Sequence, residues 1–191
     1  MIARRLALGF ALGFALVALA APATLAQTTL RVDTGASRIV YTMRHPTHRW
    51  SGTSAAVAGT FTVAGGVVTS GRVTAPVRSF DSGIGARDRN MADQTEASRF
   101  PAVTFEARSV SMLPAARRTA ERNATVQGVL TFHGIARPVT VPVRIDLSGG
   151  RVHLRGAFDV TLSEFGLVPP AMFRVPSRDW IGLQLDLTAG A

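Results

Sequence analysis

Between residues 124 and 147 the chain alternates apolar and polar side chains at every second position, around a single turn. Val139, Val141, Val143, Ile145 and Leu147 share one face, and Thr140, Pro142, Arg144 and Asp146 share the other. Successive strand side chains point to opposite faces, so this segment reads as a half-buried hairpin turned at His133-Gly134-Ile135-Ala136. A slip of one residue would expose the whole apolar set, which makes the register well specified. The same period recurs over residues 29–32, 37–43, 56–63, 67–80, 102–112, 151–162 and 179–188. Roughly eight strands with one apolar face each predict an all-β domain, either a closed antiparallel barrel or a two-sheet sandwich. Pro76 cannot donate to a ladder and predicts a bulge or bend in its strand. Trp50 and the residues up to Ser54 read as a small polar connection.

One long stretch breaks the alternation. Asp81, Ser82, Gly83 and Gly85 make a turn, residues 87–98 have the composition of a short helix, and Phe100-Pro101 ends it. Strands on both sides make this excursion a lid, with Met91, Phe100 and Phe105 as its apolar footing. A second irregular stretch, residues 163–177, carries Phe165, Met172 and Phe173. A barrel of about eight strands is filled by side chains or holds one small ligand. Phe80, Met91, Phe100, Phe165, Met172 and Phe173 are the candidate lining of an entrance, and a dry core filled by the same residues is the alternative reading.

Composition narrows the function classes. Residues 1–26 read as an export signal: Arg4 and Arg5, an apolar run over residues 6–20, then small residues with Thr24 and Ala26 before the cut, Ala21-Pro22-Ala23 being the other candidate site. The apolar run is shorter than the roughly 20 residues that span a bilayer. Residues 27–191 are then one domain. There is no cysteine, so disulfides, thiolate metal sites and cysteine nucleophiles are excluded. The net charge is +9, and all 21 basic residues are arginine. They are scattered, and the chain has one Tyr and two Trp for stacking on bases, so no nucleic-acid partner is expected. A weak attraction to anionic head groups at a membrane surface is compatible with the arginines.

No catalytic constellation is legible. The four histidines have no carboxylate at a ligand spacing, no G-x-S-x-G elbow or phosphate-binding loop is present, and Asp81, Asp88 and Asp93 lie in a solvated segment. The expectation is no catalytic residue, no metal and no cofactor, and an apolar cavity instead.

The residues resemble the YceI-like family of periplasmic polyisoprenoid-binding proteins. The matching elements are Ser37-x-Ile39-x-Tyr41-x-Met43-x-His45, Gly59-Thr60-Phe61, Ser79-Phe80-Asp81-Ser82-Gly83 and Arg87-Asp88-x-Asn90-Met91. They continue through Phe100-Pro101-x-Val103-Thr104-Phe105, Gly128-x-Leu130-Thr131-Phe132-His133-Gly134, Arg137-Pro138-Val139 and Phe165-Gly166. The resemblance implies an extended eight-stranded antiparallel lipocalin-like barrel with one short helical lid. It further implies a periplasmic, non-enzymatic binder or carrier of an isoprenoid lipid or isoprenoid quinone. Two departures stand out: the connection from His45 to Ser54 is longer and more polar than the family's, and Ser163 stands where the family often has an arginine.

The expected ligand-binding residues are Phe61, Val77, Phe80, Arg87, Met91, Phe100, Phe105, Leu130, Phe132, Phe158 and Phe165. Arg87 has two readings, holding a polar head group or anchoring the lid with Asp88. Anchoring is the stronger, because an adjacent acid competes with an anionic head group. The alternative for the whole protein is a ligand-free structural or interaction module acting at the membrane surface or with an electron-transport partner. Homodimer formation through an exposed edge is open at this stage.

Overall fold

The computed structural model describes residues 26–113, 121–172 and 174–191. The segment read as an export signal therefore lies outside the described residues, Ala26 excepted, as do residues 114–120, Phe173 and the side chain of Met172.

The alternating segments form strands. They are β1 (Gln27–Val32), β2 (Arg38–Arg44), β3 (Arg49–Ser54), β4 (Ala58–Ala64), β5 (Val67–Pro76), β6 (Ala102–Met112), β7 (Glu121–Phe132), β8 (Ile135–Asp146) and β9 (Val152–Val160). A small hairpin of β10 (Ala171–Met172) and β11 (Val175–Pro176) follows, and β12 (Ile181–Gly190) ends the chain. One antiparallel sheet runs in the order β1-β4-β5-β6-β7-β8-β9-β12-β2-β3, and β12 also pairs with β1, which closes it. Along one edge β12 pairs with β9 from Ile181 to Ala189. Along the other it pairs first with β2 and then with Arg31 and Val32 of β1. So β1 and β2 are two halves of one bent strand, interrupted by a 3-10 turn at Thr34–Ala36 that the Asp33 carboxylate caps. β3 and β4 are the halves of the next. Each bent pair counted once, the barrel has eight antiparallel strands, as the sequence led us to expect.

Three local readings need correction. Residues 49–54 are not a connection but β3, paired with β2 from Ile39↔Ser54 to Arg44↔Arg49. Pro76 makes no bulge: it is the last residue of β5, opposite Ala102, and a 3-10 turn at Val77–Ser79 follows. The β7–β8 turn is the two residues His133 and Gly134, with φ of 50° and 73°, the left-handed pair that suits a tight hairpin. A bulge does occur in β6, where Arg108 has no partner between Ala107↔Gly128 and Ser109↔Gln127. It shifts the inward parity, so that Val103, Phe105 and Ala107 are succeeded by Val110 and Met112.

The lid is helix α1 (Gly85–Gln94). Its foot is a small cluster of Val77, Ala92 and Ala97 packed with Met91 and Val103. The Thr95 hydroxyl donates to the Met91 carbonyl at 2.6 Å and closes its C-terminal end. The two turns of chain before it are tied to the barrel through the Thr53↔Asp81 bridge.

Where β12 changes partner from β2 to β1, Thr188 faces neither strand. Ser37 covers the gap: its hydroxyl accepts the Thr188 N–H at 3.0 Å and donates to the Thr188 carbonyl at 3.2 Å, and the Asp33 N–H reaches the same carbonyl at 2.8 Å. Ser37 is 3% exposed. Ser37→Ala leaves the Thr188 N–H without an acceptor, so a loss of about 1–3 kcal/mol is expected in urea unfolding, with the slope unchanged.

Candidate functional site

The inward faces of the strands do not fill the barrel. They enclose a cavity of about 470 Å³ that runs from Val126, Ile145 and Leu187 at one end to Leu162, Leu167 and Ile181 at the other. Its size lies within the roughly 300–1,000 Å³ typical of small-molecule sites.

Aromatic rings and glycines together keep this space open. Tyr41 stands directly opposite Gly52, and Phe61 opposite Gly71; Phe105 lies diagonally across from Gly128. A Cβ placed on Gly52 would collide with the Tyr41 ring, one on Gly71 would come within 2.6 Å of Phe61, and one on Gly128 within 2.5 Å of Phe105. Each ring therefore lies over the bare backbone of the neighbouring strand. Lying against the wall, it supplies apolar surface without occupying the lumen.

Of the expected residues, Phe61, Val77, Phe80, Arg87, Met91, Phe105, Leu130, Phe132 and Phe158 line the cavity. Phe100 and Phe165 do not. Phe100 sits edge-on to His133 at 4.8 Å and covers Gly134, on the outside of the hairpin turn. Phe165 is fully buried behind the wall, 5.8 Å from Phe132, and its carbonyl accepts from His133 Nδ1 at 3.0 Å. Aromatic identity marked both residues, and packing between barrel and irregular segments accounts for both.

The end under α1 is where the wall turns polar. Arg87, Asn90, Met91 and Gln94 recur at three- and four-residue spacing on one helix face, and all four line the cavity. Opposite them stand Tyr41, His45, His48 and Trp50, which the site reading missed. The period that puts Ile39, Tyr41 and Met43 inside carries on to His45, so the signal was present. His45 is held by the Thr47 hydroxyl at 2.9 Å and the Val175 carbonyl at 3.2 Å, and His48 stacks on Trp50 at 5.3 Å. Among the described residues no group of three or more His, Asp or Glu side chains is gathered as metal ligands would be.

Arg87 and Asp88 point to different tasks. The Asp88 carboxylate accepts the Ser82 N–H at 3.1 and 3.3 Å, which ties the turn before α1 to its first turn. The Arg87 guanidinium lies over Trp50, 5.7 Å from the ring centroid, and forms no ion pair with another of the described residues. At the second irregular stretch, the Ser163 N–H and hydroxyl both bond to the Asp179 carboxylate, fixing the entry into a 3-10 turn at Ser163–Phe165.

A sequence model of the YceI-like domain matches residues 30–189. The chain belongs to the YceI-like family. Among solved structures, Burkholderia cenocepacia BcnA is similar at 23% identity and a TM-score of 0.70, covering 82% of this chain and 98% of its own. A polyisoprenoid binding domain from Saccharophagus degradans, described as implicated in plant cell wall breakdown, matches at 14% identity and a TM-score of 0.66, over 88% of this chain and 99% of its own. The Campylobacter jejuni YCEI protein matches at 15% identity and a TM-score of 0.52, over 94% and 91%. These likenesses show a shared fold. No curated protein sequence matched the chain.

In this YceI-like barrel the mouth electrostatics converge on Tyr41, the sole tyrosine. Burial raises its phenol pKa, and the Asp88 carboxylate raises it further, while Arg87 and a hydrogen bond with Trp50 pull the other way. A neutral phenol is thus favoured in the folded state. Its contribution is fully present below the unfolded value of about 10 and is lost as pH rises from there through the folded value. With no lysine or cysteine in the chain, Tyr41 is the one side chain that titrates in this range. Phenolate absorbance is expected to rise at higher pH in folded than in urea-unfolded protein. The stability of Tyr41→Phe should fall less steeply above pH 10 than that of the parent.

Proposed function

We propose that this protein binds one isoprenoid lipid or isoprenoid quinone in the barrel lumen and carries it, without catalysis, in the periplasm after removal of residues 1–26. The observation that supports this most directly is the cavity of about 470 Å³ with an apolar wall and polar groups gathered at the end under α1. That polarity gradient matches an amphiphile with one polar end. Each 100 Å² of tail removed from water contributes roughly 2.5 kcal/mol, so several hundred Å² outweigh the costs of association. The Saccharophagus degradans relative is described as polyisoprenoid binding, which agrees with such an occupant.

Transient contact with a membrane surface belongs to the same reading. Among the described residues the exposed large hydrophobics are Ile84, Leu113, Val168 and Val175. Three of them are at the α1 end: Ile84 precedes the helix, Val168 also lines the cavity, and the Val175 carbonyl bonds to His45. An apolar rim around the opening is suited to loading from a lipid surface.

Native mass spectrometry of protein purified from the periplasm, followed by organic extraction, is expected to show one isoprenoid or quinone per chain. Val126→Phe adds volume deep in the lumen and should reduce that occupancy severalfold while the barrel still unfolds cooperatively. A barrel that is empty and also refuses added isoprenoid would overturn the carrier reading in favour of an interaction module.

A further inference from the structure

On the outer wall of the barrel, where β2 and β3 approach their turn, two arginines face each other. Arg44 and Arg49 stand directly opposite across the two strands, and both are exposed. Like charges in that position repel, and the repulsion falls when an anion lies against both. Other outward arginines have an acid beside them. Arg72 stands opposite Glu106, and Asp186 lies between Arg38 and Arg155. Arg144 does face Arg155, but it also reaches Glu121 at 3.9 Å. Arg44 and Arg49 form no ion pair with another of the described residues. They border, with Trp180, a shallow outer groove of about 480 Å³ whose floor is made by Thr42, Ser51 and Gly182. Asp159, on the β9 side, is the one acid along it.

The same corner gathers more positive charge. The Arg178 N–H donates to the Arg44 carbonyl at 2.8 Å, and the Val175 carbonyl meets His45, so the segment that carries Arg174, Val175 and Arg178 packs beside the hairpin. Arg174 and Arg178 are exposed and likewise form no ion pair with a described residue, and the neighbouring Asp179 is engaged by Ser163. Trp180 is half-buried, with the Arg44 guanidinium 6.0 Å from its ring centroid. Val175 is exposed. Guanidinium forks match phosphate oxygens, and an indole with one apolar and one polar side suits the boundary between head groups and tails. His45 and His48, at the turn of the same hairpin, line the mouth, so this corner adjoins the opening. Resting on the reading that the barrel loads from a lipid surface, we infer that the outer corner formed by Arg44, Arg49, Arg174 and Arg178 around Trp180 is the docking surface, and that its partner is a bilayer carrying anionic phospholipid. The contact lies on the outer wall and needs no occupant in the lumen.

The test is co-sedimentation of the mature protein with vesicles of phosphatidylcholine alone and of phosphatidylcholine mixed with phosphatidylglycerol. Binding is expected with the anionic vesicles only, and it should weaken as salt is raised, because exposed charges are screened over about 10 Å. An arginine close to an anionic surface contributes about a fivefold factor, so replacing both Arg44→Gln and Arg49→Gln is expected to weaken binding about twenty-fold. Replacing both Arg72→Gln and Arg108→Gln removes the same charge from the β5–β6 face and should leave most of the binding intact. Equal binding to the two kinds of vesicle overturns the inference, and so does an equal loss in the two double variants, which would mean that net charge alone attracts the protein. Release by inorganic phosphate at an ionic strength where chloride has no effect also overturns it, because that marks a discrete phosphate site instead of a bilayer surface. The comparison of vesicles in the parent protein decides the matter even if a double variant does not fold. Native mass spectrometry of the same samples reads the lumen separately. A barrel that carries lipid but ignores anionic vesicles overturns the docking surface alone, and an empty barrel that docks supports the surface and overturns carriage.

Discussion

Strand β12 is paired along both edges, with β9 on one side and with β2 and then β1 on the other, and every other pairing in the sheet presupposes that closure. Left open, the sheet would present two rows of unpaired N–H and C=O groups, and a chain without cysteine has no disulfide to hold them together. Closure has one weak place, at Thr188, because β1 and β2 are the two arms of a bent strand and cannot both lie against β12 there. The buried Ser37 hydroxyl supplies donor and acceptor at that point. A single side chain thus lets the barrel be longer than any one of its strands on that edge. Length, in turn, is what allows one end to pack as a core around Ile145 and Val152 while the other stays available as a mouth.

Holding a lumen open inside a barrel of this size needs a way to place bulky apolar groups without letting them meet in the middle. The pairing of Tyr41 with Gly52, Phe61 with Gly71 and Phe105 with Gly128 does this by geometry. A glycine in a strand is unfavourable for lack of a side chain to pack, and here the ring from the neighbouring strand covers it. The ring gains a flat contact, the backbone is shielded, and the volume that an upright aromatic would occupy remains free.

This arrangement also explains what could and could not be read from the chain. Segments whose inward positions all carry apolar side chains, such as β8 and β12, were legible from their period alone, whereas the one-residue bulge at Arg108 was not read within the alternation of residues 102–112. β3 was not legible. Its inward positions are Trp50, Gly52 and Ser54, and the last two look polar or empty because Tyr41 fills the space over Gly52 while the Ser54 hydroxyl meets Ser79 at 2.6 Å. The lining was legible inside strands, where parity decides the direction of a side chain, and at Val77, Phe80, Arg87 and Met91 outside them. Phe100 and Phe165, like Phe80, sit in irregular chain, where aromatic identity carries no direction, and tertiary packing turned only Phe80 of the three into the lumen. His45 was missed for the opposite reason. Its parity was right, but it lies just past the strand end, where the turn at residues 46–47 suggested that the alternation had stopped.

Adjacent residues on a helix point about 100° apart, so neighbours in sequence need not be partners in space. Arg87 and Asp88 make the point, since reading them as a pair cancels their charges and leaves only an anchor. On α1 the rotation between them sends Asp88 to the Ser82 backbone and Arg87 to the lumen over Trp50. Asp88 ties the preceding turn to the first turn of the lid. The acid therefore holds the backbone before the lid, while its charge and that of Arg87 act on Tyr41 in opposite directions.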